Sequence, residues 1–217
     1  YRSRKDIAAD RIEYIYHLNE SGSTDDLAEV LSSEGHSLVK AGHTELLGIL
    51  RSLEREGFDA KSWCIVRELR GDILSIQGRW DEAEAEYDAA IPNARKNSMA
   101  EELSRLLSAR ADIAVKRGAI DDALEMHRKA LEIQIKLRDS VGAARSYNNM
   151  GYIFRRRRDT RHALRSIRRA RNFWILRRIL SCVKPESGWP RHISKWENWI
   201  GRENTLSEHS KKQKLTM

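Results

Sequence analysis

The densest concentration of reactive side chains in this sequence is a run of arginine. Residues 155–184 hold 12 Lys or Arg and one acid, Asp159. Arg155, Arg156, Arg157 and Arg158 are consecutive, so on a helix they point all around it. Arg161, Arg165, Arg168 and Arg169 recur at helical spacing and form one stripe. A guanidinium group pairs with carboxylate or phosphate through the same planar fork. The stripe therefore suits an acidic protein partner or nucleic acid, or it is a solvated face without a ligand. No helix-turn-helix or winged-helix recognition pattern accompanies it, and no aromatic side chains interleave on its exposed face. Nucleic acid is the less favoured ligand on that ground.

Catalytic spacings are absent from the rest of the chain. There is no Gly-x-x-x-x-Gly-Lys phosphate loop, no Gly-x-Gly-x-x-Gly cofactor turn and no His-Glu-x-x-His zinc helix. The seven histidines are scattered. His36 and His43 lie two helical turns apart, but a turn at Gly42 falls between them, which argues against a shared metal. His127 and Tyr87 sit where a bulky packing residue recurs and read as core. Cys64 and Cys182 fit neither a metal spacing nor a disulfide framework. No catalysis, cofactor or metal is expected.

Charge is unevenly spread over the 217 residues. Residues 1–154 carry 22 Lys+Arg and 27 Asp+Glu, whereas residues 155–217 carry 18 and 5. The formal net charge of +8 thus belongs to the last third. Such asymmetry marks a surface for something acidic, or a tail. Hydrophobic residues make up 40% of the chain, enough for a packed core. No apolar run is long enough to cross a membrane, and no signal-peptide pattern opens the chain. The cysteine usage suits a reducing, cytoplasmic compartment. The chain opens on Tyr1 and not on Met, as expected of a piece of a longer protein.

These side chains must be positioned by a repeated frame. Gly71, Leu74, Ala83, Tyr87 and Ala90 are followed 40 residues later by Ala111, Ala114, Ala123, His127 and Ala130. Gly151, Phe154, Ala163, Ile167 and Ala170 follow after another 40. Self-similarity at a fixed period of about 20–50 residues signals a stacked repeat protein. The pattern predicts helices near 59–77, 80–95, 99–117, 120–137, 140–157 and 160–180, paired as antiparallel hairpins. Small residues are expected where the two helices of a hairpin cross. The bulky Leu74, Tyr87, Phe154 and Ile167 are expected to fill gaps between hairpins. Glycines 22, 42, 78 and 118 end helices, and acids open the helices that follow.

The flanks are less regular. Ile7, Ala8, Ile12, Ile15 and Tyr16 predict a helix over 6–20, and the turns at Gly22 and Gly42 stand only 20 residues apart. Residues 1–58 are therefore read as irregular helical hairpins, 59–180 as three long repeats, and 181–217 as a capping helix (about 190–202) with a basic tail. Ten or eleven helices are expected in all.

Gly at position 8, Ala at 20, a large residue at 24 and Ala at 27 of each repeat resemble the tetratricopeptide repeat. The resemblance covers about residues 62–177. It departs from the family in its period of 40 and in lacking the usual proline near each repeat's end. The long period and Tyr147-Asn148-Asn149-Met150-Gly151 look like the repeats of kinesin light chains. More weakly, the chain resembles the helical arm of signal-transducing NTPase regulators of transcription. The resemblance implies an all-α, right-handed solenoid of antiparallel hairpins and a protein-binding scaffold.

It also implies a concave groove lined by the first helix of each hairpin. The corresponding positions are Glu68, Asp72 and Ser75, then Arg105, Ser108, Asp112 and Lys116, then Arg145, Asn148, Tyr152, Arg155 and Arg156, with Asn149 beside them. An asparagine amide both donates and accepts, which suits Asn148 to the backbone of an extended peptide. The expected partner is a protein or peptide with acidic segments, met by the groove and by the arginine face. The alternatives are a regulatory arm, direct nucleic-acid binding, and a groove that is only a solvated surface. Self-association between the acidic and basic ends is also expected.

Overall fold

The computed structural model describes the backbone of residues 4–182 and the side-chain surroundings of residues 9–173. The expected cap and tail over 183–217 lie outside the described residues. Residues Tyr1–Leu176 form one compact unit and Arg177–Met217 a second. The first is described here.

Nine α-helices and no strand occur among the described residues. They are α1 (Arg4–Glu20), α2 (Thr24–Lys40), α3 (Leu46–Ser52), α4 (Ala60–Ile76), α5 (Trp80–Lys96), α6 (Ala100–Arg117), α7 (Ile120–Lys136), α8 (Ser140–Arg156) and α9 (Thr160–Cys182). The six regular helices begin and end within a residue or two of the boundaries read from the repeat. The all-α solenoid is therefore the observed architecture. Helix α4 packs on α2, α3, α5 and α6, and α6 packs on α4, α5, α7 and α8. Helices α2, α4, α6 and α8 thus stand in a row, with α5 and α7 behind them.

Helices α4–α8 each stop where the chain enters the left-handed region. Gly78 and Gly118 do so at φ of 76° and 83°. So do Ser98, Arg138 and Arg158, at 56°, 57° and 61°. The backbone therefore repeats every 20 residues, half the period of the side chains. Asp59 and Asp139 then cap α4 and α8 by accepting from the N–H groups of Ser62 and Gly142, at 2.6 and 2.9 Å.

Core packing corrects one expectation. Tyr87 does not fill a gap between hairpins. Its ring lies against Gly71 on the partner helix of its own hairpin, so closely that a Cβ on Gly71 would stand 2.5 Å from the ring. Ile167 meets Gly151 in the same way, at 3.0 Å. A small residue on the first helix is thus the socket for the bulky residue 16 positions later. Ile167 is also 48% exposed, where Tyr87 and His127 are 1% and 0% exposed. Among the described residues nothing follows α9. Phe154 is only partly buried and packs on the His162 ring at 5.2 Å.

A buried cluster runs without a break from Ile15 through Leu50 and Leu69 to Ile113. The irregular helices α1–α3 therefore share one core with the first repeats. Arg70 ties this seam. It is 8% exposed and donates through Nε to the Leu50 carbonyl at 2.8 Å and through Nη2 to the Leu53 carbonyl at 2.9 Å. Both carbonyls lie at the end of the short α3, where Leu50 accepts only the long Leu53 N–H bond, at 3.4 Å, from the backbone.

Candidate protein-binding groove

The inner row of helices brings its facing side chains around a cleft of about 520 Å³. Of the residues named for the groove, Glu68, Asp72, Arg105, Ser108, Asp112 and Arg145 line it. Lys116, Asn148, Asn149, Tyr152 and Arg155 are not among its lining residues. They lie farther along α6 and α8.

Glu68 is the hub of the cleft floor and is 3% exposed. Arg105 grips it with Nε at 2.9 Å and Nη2 at 3.1 Å, and His36 Nε2 lies 3.2 Å away. Burial opposes the carboxylate charge, but the His36 and Arg105 partners outweigh it and hold the Glu68 pKa below the ordinary value. Buried Glu102 is met by Lys61 at 3.5 Å and Arg105 at 3.9 Å. The floor is thus a neutralised network that ties α2, α4 and α6 together.

A second set of polar contacts repeats with the fold. The Tyr87 hydroxyl donates to Asp72 Oδ1 at 2.7 Å. Burial, and then the nearby Glu68 charge, push Asp72 up to about 6. Burial and Asp72 together raise Tyr87 far above the ordinary phenol range. One repeat on, fully buried His127 stands with Nε2 3.4 Å from Asp112. Asp112 also accepts from Asn149 Nδ2 at 3.0 Å. Asn149 is therefore committed to the scaffold, joining α8 to α6. Ser146 Oγ donates to Gln134 at 2.8 Å within the same buried layer. Ser108 donates back to the Ser104 carbonyl at 3.0 Å. Lys116 Nζ donates to Ser75 Oγ at 2.9 Å, and Arg155 lies over the Tyr152 ring at 5.4 Å.

On α8, Arg145 and Asn148 are left available. Arg145 and Asn148 are exposed on α8 and have no polar partner among the described residues. They stand at the same end of the row, one helical turn apart.

The basic run is not uniform. Arg156 donates to the Val115 carbonyl at 3.3 Å, and Arg157 pairs with Asp121 of α7. Arg158 supplies the left-handed turn residue, and Arg169 lies over the Tyr147 ring at 5.6 Å. Arg161, Arg165 and Arg168 are exposed on α9. Arg156 and Arg157 thus fasten the third repeat to the second, whereas Arg161, Arg165 and Arg168 face outward.

The contribution of α2 escaped the sequence reading. Ser32, His36 and Lys40 all line the cleft. The signal was present: Gly35 is the twelfth residue of its helix, as are Gly71, Ala111 and Gly151 of theirs. Its spacing to Gly71 is 36 and not 40, which hid it. A Cβ on Gly35 would stand 2.6 Å from the Leu69 side chain, so the missing side chain lets α4 approach α2 closely.

Among the described residues, no group of three or more His, Cys, Asp or Glu could hold a metal ion, and no helix is long and apolar enough to cross a membrane. Cys64 is a buried free thiol whose pKa is raised, chiefly by burial.

No curated protein matches the chain significantly. Among solved structures it is similar to BtubC (BKLC) from P. vanneervenii, with 19% identity over 87% of this chain and 76% of that one, at a TM-score of 0.60. That likeness is one of fold. The tetratricopeptide repeat family model matches residues 64–135 and 102–174, which together cover just over half the sequence and all three repeats. The chain belongs to the tetratricopeptide repeat family.

Proposed function

We propose that this protein binds a segment of a partner protein in the groove along α2, α4, α6 and α8, as a scaffold. The observation that carries the reading is the contrast between Arg145 with Asn148 and their neighbours. Along α4 and α6 the polar groups of the groove are engaged within the fold: Glu68 by Arg105, Asp112 by Asn149, and Ser75 by Lys116. Arg145 and Asn148 are exposed and without partners among the described residues. An amide that can donate and accept beside a guanidinium suits a peptide backbone with a carboxylate nearby. The pre-ordered network beneath them means that little ordering cost falls on the protein when a segment binds.

The test is selection of a displayed random-peptide library on the full chain. Selected peptides are expected to carry an acidic residue and to lose at least about tenfold in affinity on Arg145→Ala with Asn148→Ala, at unchanged helicity. Peptides that bind the double variant as well as the wild type would place the site elsewhere.

A further inference from the structure

Each inner helix of the array seats on the outer helix before it, and the seats of α2, α6 and α8 are keyed by charge. Helix α5 offers Asp81, Glu84 and Asp88. Helix α6 answers with Arg110 and Arg117, seven residues apart. Arg110 Nε meets Asp88 at 2.9 Å and its fork also binds Glu84. Arg117 Nη1 meets Glu84 at 3.0 Å and its fork also binds Asp81. One period on, α7 presents Asp121 and Leu124 at the first two stations. Arg157 of α8 pairs with Asp121, and Leu124 is buried in one cluster with Met150, which stands where Arg110 stood.

One period further, α9 presents Arg161, Leu164 and Arg168 at these stations. Relative to α5, the sign is reversed at the first and third. Among the described residues the seat is also open. Leu164 is 61% exposed, against 4% for Leu124. An apolar residue flanked by arginines at i−3 and i+4 forms a single face, because residues three and four apart are neighbours on a helix.

We propose that this open seat on α9 binds an acidic amphipathic helix of a partner protein. The helix would dock as α6 docks on α5, with carboxylates seven residues apart at the stations of Arg110 and Arg117. The proposal rests on the scaffold reading above but uses a different surface from the groove. The molecule already contains the same pairing with inverted sign. Arg11 of the outer helix α1 binds Glu34 of the inner helix α2, with Nε 2.6 Å from Oε2. Their sequence separation is 23, where Asp88 and Arg110 are 22 apart.

Charge disfavours the other occupants. A further repeat like the second or third would set Arg110, Arg117 or Arg157 against Arg161 and Arg168. A second copy carries Glu34 at the right station, but α1 already holds it through Arg11. The chain's own residues 183–217 hold seven Lys or Arg against four acids.

The probe is a fluorescein-labelled peptide of residues 100–117 carrying Arg110→Glu and Arg117→Glu, with the unsubstituted peptide as control. Polarisation is read against the full chain at low and high salt. The acidic peptide is expected to bind at least about tenfold more tightly than the control, and more weakly as salt rises. Arg161→Glu with Arg168→Glu, and separately Leu164→Asp, should each weaken it about tenfold or more at unchanged helicity. The groove variant with Asn148→Ala should leave it unchanged. Absent binding, equal binding of the two peptides, or indifference to the α9 substitutions overturns the proposal. Loss of binding on Asn148→Ala would place the peptide in the groove. Duplex DNA that binds with the same sensitivity to Arg161→Glu and displaces the peptide would assign the face to nucleic acid. A dimer in sedimentation that Arg161→Glu disperses would assign it to a second copy.

Discussion

At the scale of single residues, the repeats are built from matched pairs. Gly71 leaves room for the Tyr87 ring and Gly151 for Ile167, while Ala111 stands at the matching position before the smaller His127. Each socket is as deep as its plug requires, because close-packed interiors accept little change in volume. The polar ends of these plugs differ in consequence. Tyr87 satisfies Asp72 with a hydroxyl, whereas neither ring nitrogen of His127 has a hydrogen-bond partner. Asp72 carries a cost of its own. Its folded pKa, about 6, lies above the ordinary 3.8. The folded state therefore binds the proton more tightly, and stability from this group is full below about pH 4 and lost as the pH rises to about 6. Asp72→Asn keeps an oxygen for the Tyr87 hydroxyl and removes the buried charge. Urea unfolding at pH 7.5 should show a gain of about 1–3 kcal/mol that shrinks to nothing near pH 4. An equal gain at both pH values would show that the charge is not the cause.

At the scale of elements, helix ends decide more than helix interiors. The turn residue recurs every 20 positions, but glycine fills it only at Gly78 and Gly118 among the five regular turns. Ser98, Arg138 and Arg158 accept a left-handed backbone that a side chain resists. The turn after α5 should thus be improvable. Ser98→Gly is expected to raise stability by about 1 kcal/mol, seen as a higher thermal midpoint with the same helicity. A lower midpoint would mean that freedom gained by the unfolded chain outweighs the strain relieved.

At the scale of the whole molecule, the array is nearly one-dimensional, so each helix pair depends on its neighbours. The short α3 cannot cover α4 as a full outer helix would. The Arg70 guanidinium closes the seam by binding the Leu50 and Leu53 carbonyls, while Trp63 lies under it at 5.1 Å. Arg70→Met leaves the Leu53 carbonyl without a partner and Leu50 with only its long backbone bond, at a cost of about 1–3 kcal/mol. Hydrogen exchange should then quicken in α1–α3 while α6 and α7 keep their protection. Uniform loss across all the helices would show that the array unfolds as one cooperative unit.

Much of this molecule was legible from spacing alone. Side chains 40 residues apart obey the same steric rule at each helix crossing, so Gly71, Ala111 and Gly151 announce the hairpins and their boundaries. The family's inner positions likewise pointed to Glu68, Asp72, Arg105 and Arg145. Three things depended on tertiary structure. Helix α2 joined the groove because Gly35 permits close packing on α4, at a spacing the period did not anticipate. Asn149, Glu68 and Asp112 proved to be engaged within the scaffold, since hydrogen bonds between helices join them to residues 37 positions away. And the arginine run divided into residues that fasten α8 to its neighbours and residues that face outward on α9. A one-dimensional pattern records which face of a helix a residue occupies. Only the fold determines whether another helix already covers that face.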